Sequence, residues 1–190
     1  MEQIILGIDP GTRLMGYAIL SVEGNKASLV TMDVLNVQKI ASHELRIKRI
    51  FEATREIIDT HLPDFLAIEA PFYGKNVQSM LKLGRAQGVA IAAALAHDIP
   101  FCEYEPRRVK QSVTGNGAAS KEQVAAMLQR LLHFPDMPDH LDATDALAVA
   151  YCHFLNNNGS IPQAISKAKT RKNSSWASFI SENQSRVTKF

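Results

Sequence analysis

An apolar run with strand character, Ile4-Ile5-Leu6-Gly7-Ile8, stops on a carboxylate, Asp9, and a Pro10-Gly11 turn. Proline removes a backbone donor and fixes φ, while glycine admits positive φ, so the strand ends here and the chain reverses. A second β-rich run, Leu14 to Val22, follows after too short a link for any crossover and is therefore an antiparallel neighbour. A third, Lys26 to Val37, lies beyond Gly24-Asn25, which reads as a hairpin turn. Three successive antiparallel strands thus open the chain, and the first carries an ionisable group at its tip.

Downstream the period changes. Leu45, Ile47, Ile50, Phe51, Ile57 and Ile58, with charges interspersed, predict an amphipathic helix from Ser42 to His61. Phe65-Leu66-Ala67-Ile68, bounded by Pro63 and Pro71, is a short buried strand that ends in Glu69. A long helix is expected over roughly residues 76 to 97 and another short strand over 100 to 104. Ser120-Lys121-Glu122-Gln123 matches a capping box and opens a helix to about Leu132. A last helix, apolar almost all round, covers residues 141 to 155. Strands first, then alternating helix and strand, predict an α/β fold with a mixed central sheet, its three antiparallel strands first and helices on both faces.

A chain of 190 residues, 46% hydrophobic and 21% charged, suffices for one ordinary core. Its longest apolar stretch, around Val89 to Ala96, is far short of the about 20 residues that cross a bilayer. Met1-Glu2-Gln3 lacks the basic start of a signal peptide, so no membrane role and a cytoplasmic location are the default expectations. Cys102 and Cys152 are isolated, which argues against a disulfide framework or a zinc site. Residues 156 to 190 hold six Lys/Arg against Glu182, a charge of +5, which leaves residues 1 to 155 with 15 basic and 18 acidic groups, or −3. Residues 1–155 therefore read as the folded domain, able to hold a polyanion only through local patches. Residues 156–190 read as a flexible basic tail, with Trp176, Phe179 and Ile180 able to form a short docking segment.

Three more carboxylates share the oddity of Asp9. Glu69 ends a buried strand, and Asp142 and Asp145, three residues apart, lie on one face at the start of the most apolar helix. Each alone is satisfied by an ordinary role: first residue of a turn for Asp9, a solvent-reaching strand end for Glu69, helix capping for the pair. Together, two strand ends and a helix start are a natural way to gather four carboxylates at one sheet edge. Close like charges push carboxylate pKa values up, and a hard divalent cation relieves the conflict. Mg²⁺ fits, since it takes a few carboxylates and keeps positions for water and phosphate, and paired ions activate water in phosphodiester hydrolysis.

Gly7-Ile8-Asp9-Pro10-Gly11-Thr12 with Gly16-Tyr17-Ala18, Ile68-Glu69 with Phe72 and Lys75-Asn76, and Leu83-Gly84-Arg85-Ala86-Gln87-Gly88-Val89 succeed one another along the chain. Val109-Lys110-Gln111, Gly115-Asn116-Gly117, Lys121 and Asp142-Ala143-Thr144-Asp145-Ala146-Leu147-Ala148 continue the series. In order and spacing these motifs resemble the RuvC family of bacterial Holliday-junction resolvases over residues 1 to 155. The resemblance implies an RNase H-like fold, a homodimer, and paired symmetric nicking of four-way junction DNA in recombination and repair. It assigns metal binding and catalysis to Asp9, Glu69, Asp142 and Asp145, with two Mg²⁺ per site and Mn²⁺ able to substitute. It implies the RuvA–RuvB branch-migration complex as a partner.

Arg107, Arg108 and Lys110 cluster after a strand and Lys121 opens a helix, positions from which each could hold phosphate. The resemblance adds Lys75 and Arg85 as DNA contacts and favours Phe72 as a residue that stacks on an unpaired base. Gly115-Asn116-Gly117 is either a plain turn or a loop that DNA approaches. His140, nearest the acid pair, suits a surface or capping role better than assistance to a metal. Two competing functions are an actin-like ATPase and a non-catalytic junction-binding module. The first needs a duplicated domain and a second Asp-Gly loop that the chain lacks; the second is opposed by four unsubstituted acids. No Gly-x4-Gly-Lys-Ser/Thr phosphate loop occurs.

Overall fold

The computed structural model describes residues 2–71 and 76–157. The elements run β1 (Glu2–Asp9), β2 (Leu14–Glu23), β3 (Lys26–Asn36), α1 (His43–His61), β4 (Phe65–Glu69), α2 (Val77–Leu95), β5 (Phe101–Tyr104), α3 (Pro106–Thr114), α4 (Lys121–Leu132) and α5 (Asp142–Asn157). The sheet order is β3-β2-β1-β4-β5, antiparallel from β3 to β1 and parallel from β1 through β4 to β5. Each strand and helix expected from the sequence is present with its ends within two residues of the expected ones. Ser42 and Asn76 cap α1 and α2 by accepting from the Leu45 and Ser79 N–H groups, and Ser120 with Gln123 forms the capping box.

Helix α3 was not among the expected elements. Its nine residues put Pro106 in the first turn, bury Val109 and Val113 at helical spacing, and end at Gly115 in the left-handed region. Proline in the first turn and glycine just past the last are start and stop signals legible in the sequence.

Period-two alternation divides the core. Ile5, Ala18, Leu20, Ala67 and Tyr104 face α3, α4 and α5, where Val109, Val124, Leu128 and Leu147 cover them. Leu6, Ile8, Met15, Ile19, Leu66 and Ile68 face α1 and α2, against Ile50, Ile58, Ala86 and Ala90. The same parity that sends Ile5 and Ala67 toward α5 sends Asp9 and Glu69 there too.

Helix α5 sits unusually close to the sheet, and two glycines make room for it. A Cβ on Gly7 would lie 2.8 Å from the Ala150 Cβ, and one on Gly16 would overlap the Asp142 carbonyl. Since Asp9 pairs with Gly16 across the β1/β2 ladder, the first turn of α5 is brought onto the end of β1. Sheet below and α3 and α4 alongside explain why α5 is apolar nearly all round. No helix among the described residues is long and apolar enough to cross a membrane.

Candidate active site

Asp9 is the last residue of β1 and Glu69 the last of β4; these strands are parallel neighbours, with Ile8 opposite Ile68. Both acids therefore leave the sheet at one edge and on one face. Asp142 and Asp145 occupy the first turn of α5, which the close approach at Gly16 delivers to the same place. One carboxylate oxygen each from Asp9, Asp142 and Asp145 lies within 4.8 Å of the others. Glu69 stands outside this tight triple but within its field.

Charge and burial act on all of them. The Asp9 pKa is raised well above the usual carboxylate value by burial, then by the charges of Glu69 and Asp145, with Lys121 opposing. Glu69 is raised to about 7 by burial and by Asp145, against Lys121 and Lys110. Asp145 is raised by burial, although a hydrogen bond and the charge of Lys121 pull it down. For Lys121 burial works against the charged form, yet the bond and charge of Asp145, with Asp9 and Asp142, leave its pKa raised.

Lys121 is thus closer to the acids than its helix-start position suggested. Its ammonium pairs with Asp145 and stands 3.8 Å from Asp142. Lys110 is brought near enough for its charge to lower the Glu69 and Asp145 pKa values. Arg107 and Arg108 are exposed and are not brought to the acids. Arg107 lays its stem across Gly117, and Arg108 bonds Asn156 Oδ1 at 2.6 Å while stacking 5.6 Å over the Tyr104 ring. Arg85 lies exposed on α2, on the other side of the sheet, where its charge reaches Glu44. Phe72, Lys75 and the tail beyond Asn157, with Trp176, Phe179 and Ile180, lie outside the described residues.

Two smaller features have local structural roles. Gly115-Asn116-Gly117 forms a turn in which Asn116 Oδ1 accepts from the Ala118 N–H at 3.0 Å. The exposed His140 caps α5 through its backbone, its carbonyl accepting from the Ala143 N–H at 3.2 Å.

Sequence reasoning passed over two polar residues that the fold buries. His153, 1% exposed, bonds the Tyr104 hydroxyl through Nδ1 at 2.8 Å and the Asn157 amide through Nε2 at 2.6 Å. Burial lowers its pKa to about 4, so it is a neutral clamp between β5 and α5. Gln87, 6% exposed, bonds the Glu69 carbonyl oxygen and Glu103. Its signal was a polar residue inside the alanine stripe Ala86, Ala90, Ala94, where an amide needs a partner.

The donor set fits a hard divalent cation. It offers only carboxylate oxygens, three of them already gathered, and two of the acids have their charged forms strongly disfavoured as they stand. Such a cluster can bind cations, hold phosphate oxygens beside Lys110 and Lys121, and support metal-assisted hydrolysis.

A family model described as crossover junction endodeoxyribonuclease RuvC matches residues 5–153. The crossover junction endodeoxyribonuclease RuvC of Porphyromonas gingivalis is 57% identical over 188 residues, covering 98% of this chain and 97% of that protein. That of Bacteroides fragilis is 54% identical over 188 residues, covering 98% and 96%. Among solved structures, Thermus thermophilus RuvC in complex with a Holliday junction substrate superposes with a TM-score of 0.74 at 32% identity, covering 80% of this chain and 92% of that one. The five-stranded mixed sheet with helices on both faces is accordingly RNase H-like, and the chain belongs to the RuvC family of crossover junction endodeoxyribonucleases.

Proposed function

We propose that this protein is a metal-dependent endonuclease that resolves four-way DNA junctions by paired symmetric nicks, in recombination and repair. The observation that carries the reading is the convergence of Asp9, Asp142 and Asp145 oxygens within 4.8 Å, with Glu69 on the adjacent strand end. Membership of the family supports it, as does the junction DNA bound by the Thermus thermophilus relative.

Asp9, Glu69, Asp142 and Asp145 would hold two Mg²⁺ ions, with Mn²⁺ able to replace them. When bound, such ions supply an activated water and charge stabilisation for the leaving oxygen of a phosphodiester. Water adds in line to phosphorus, the bond to the 3′-oxygen breaks, the proton passes to that oxygen, and a ligatable 5′-phosphate remains. The chain's own part is electrostatic and geometric. The carboxylates stand on two strand ends and a close-packed helix, so their positions are rigid before substrate arrives. Lys110 and Lys121 offset the charge that builds on the phosphate, Lys121 exchanging part of its pairing with Asp142 and Asp145 for phosphate oxygen.

Residues 1–155 form the nuclease domain in this reading, and residues 156–190 a basic tail. Arg85, Arg107 and Arg108, away from the acids, serve as outer phosphate contacts; Lys75 and Phe72 are assigned to DNA by family resemblance. Two symmetric cuts call for two symmetric sites, hence a homodimer. In this reading the protein acts on chromosomal DNA in the cytoplasm, with the RuvA–RuvB branch-migration complex as its partner.

The test is a nicking assay on a synthetic four-way junction, with linear duplex and RNA–DNA hybrid as controls, each in Mg²⁺ and in EDTA. Metal-dependent paired cuts confined to the junction support the reading. Junction binding without cutting under any divalent metal would replace it with a non-catalytic binding module.

A further inference from the structure

The strand end that carries Glu69 is held from the far side of the sheet. Gln87 lies on the inward face of α2, where Ala86, Ala90, Ala93 and Ala94 are all 0% exposed. An amide in such a stripe is costly unless its donors are satisfied. Both Nε2 protons are: one goes to the Glu69 carbonyl oxygen at 3.3 Å, the other to Glu103 Oε1 at 2.6 Å. Glu103 is an exposed residue of β5, opposite Ile68 in the ladder, so its side chain leaves on the α2 side. One glutamine therefore joins α2, β5 and the last residue of β4.

The chain just past Glu69 makes this tie consequential. The ladder continues for one more bond, from the Ala70 N–H to the Tyr104 carbonyl at 2.9 Å, and then Pro71 has no N–H to offer. The Glu69–Ala70 peptide is thus the last ladder unit of β4, bonded to Tyr104 through its N–H and to Gln87 through its carbonyl oxygen. The Glu69 carboxylate leaves on the opposite face, toward Asp9 and α5; it is outside the tight triple, but its charge acts on Asp9, so where the strand end stands sets how the fourth acid meets the other three.

We propose that Gln87 is a positioning residue for the junction-cutting reaction: by clamping the Glu69 main chain to Glu103 it sets where the Glu69 carboxylate stands relative to Asp9, Asp142 and Asp145. The inference rests on the proposed function, because it takes Glu69 to be one of the metal-holding acids. Gln87 itself touches neither substrate nor cation. Partners of this outer kind are worth about 10–100-fold in metal affinity or activity.

Three full-length variants test it: Gln87→Met, which keeps length and loses the donors; Gln87→Lys, which restores donors toward Glu103 and the carbonyl; and Glu103→Ala, a change at an exposed position. The measurements are calorimetric titration of DNA-free protein with Mg²⁺, junction cutting as a function of Mg²⁺, junction binding in EDTA, and thermal melting. Gln87→Met is expected to weaken Mg²⁺ binding and slow cutting by about 10–100-fold, with the half-saturating Mg²⁺ raised and EDTA binding of junctions unchanged. Gln87→Lys recovers most of the loss, and Glu103→Ala shows a smaller loss in the same direction.

Wild-type Mg²⁺ affinity and Mg²⁺ dependence in Gln87→Met would overturn the proposal. So would equal losses in Gln87→Met and Gln87→Lys matched by equal falls in melting temperature, since packing alone would then explain both. If Gln87→Met does not fold, Glu103→Ala decides, an unchanged Mg²⁺ dependence overturning the proposal. Should the wild type bind Mg²⁺ and yet leave junctions uncut, the proposed reaction fails, while the calorimetric comparison of wild type with Gln87→Met still decides the positioning role.

Discussion

Replacing Glu69 with Gln is expected to stabilise the protein in EDTA at pH 8 and to leave its stability nearly unchanged at pH 4. The Glu69 pKa stands at about 7 in the folded state against an ordinary value of 4.5, because burial and the Asp145 charge disfavour its ionised form. A carboxyl group raised on folding binds its proton more tightly in the native state, so its contribution is fully present below pH 4.5 and is lost as pH rises through about 7. Each pH unit of displacement is worth about 1.4 kcal/mol, an upper bound of about 3.5 kcal/mol, and with part of the group still reached by solvent the penalty that wild type carries above pH 7 is about 3 kcal/mol. Glutamine keeps the shape and has no charge to bury. For a chain of this size that gain corresponds to a melting temperature higher by about 6–12 °C.

Urea unfolding at several pH values from 4 to 8 measures it as the difference between variant and wild type, a difference in which every other titrating group cancels unless it is coupled to Glu69. The expected curve is flat near zero below pH 4.5 and climbs to its plateau above pH 7. Adding Mg²⁺ stabilises wild type more than the variant and narrows the gap. A gain as large at pH 4 as at pH 8 would mean better packing and would refute the electrostatic reasoning; no gain at any pH would refute the burial of charge.

The same geometry sets four further outcomes. Asp142→Asn should abolish junction cutting while EDTA binding of junctions persists, and cutting at the wild-type rate would remove Asp142 from the acid set. Lys121→Met removes a charge that lowers the Asp9, Glu69 and Asp145 pKa values, so the acidic limb of the cutting-rate profile should move to higher pH. Gly16→Ala forces a methyl group into the Asp142 carbonyl; denaturant titration should show a loss of about 1–3 kcal/mol, accompanied by weaker Mg²⁺ binding. His153→Phe leaves the Tyr104 hydroxyl without its partner and should cost about 1–2 kcal/mol at pH 7. That deficit should shrink toward pH 4, because wild type loses stability as pH falls from 6.5 through about 4 while His153 is forced to protonate.

The acids were legible in the sequence because their positions are encoded locally. Period two fixes the face of Asp9 once Ile5 is inside, and does the same for Glu69 from Ala67; a spacing of three puts Asp142 and Asp145 on one side of a helix. What joins these local facts into a site is non-local. Lys121 meets Asp145 only because α4 packs against α5, and its capping-box signal describes the start of a helix, not the neighbour across from it. Gln87 reaches Glu69 across a sheet that lies between it and the chemistry, so no motif containing Glu69 contains Gln87. Gly7 and Gly16 are the exception, a long-range contact that leaves a local trace. Glycine inside two adjacent strands is unfavourable for each strand alone, and both face one helix rich in alanine. A sheet that forgoes a side chain twice on the same face implies a backbone packed against it, and the helix that begins with Asp142 is the one apolar enough to lie there. Those glycines point to α5 lying against the end of β1, whereas the contacts of Lys121 with Asp145 and of Gln87 with Glu69 exist only once the elements are docked.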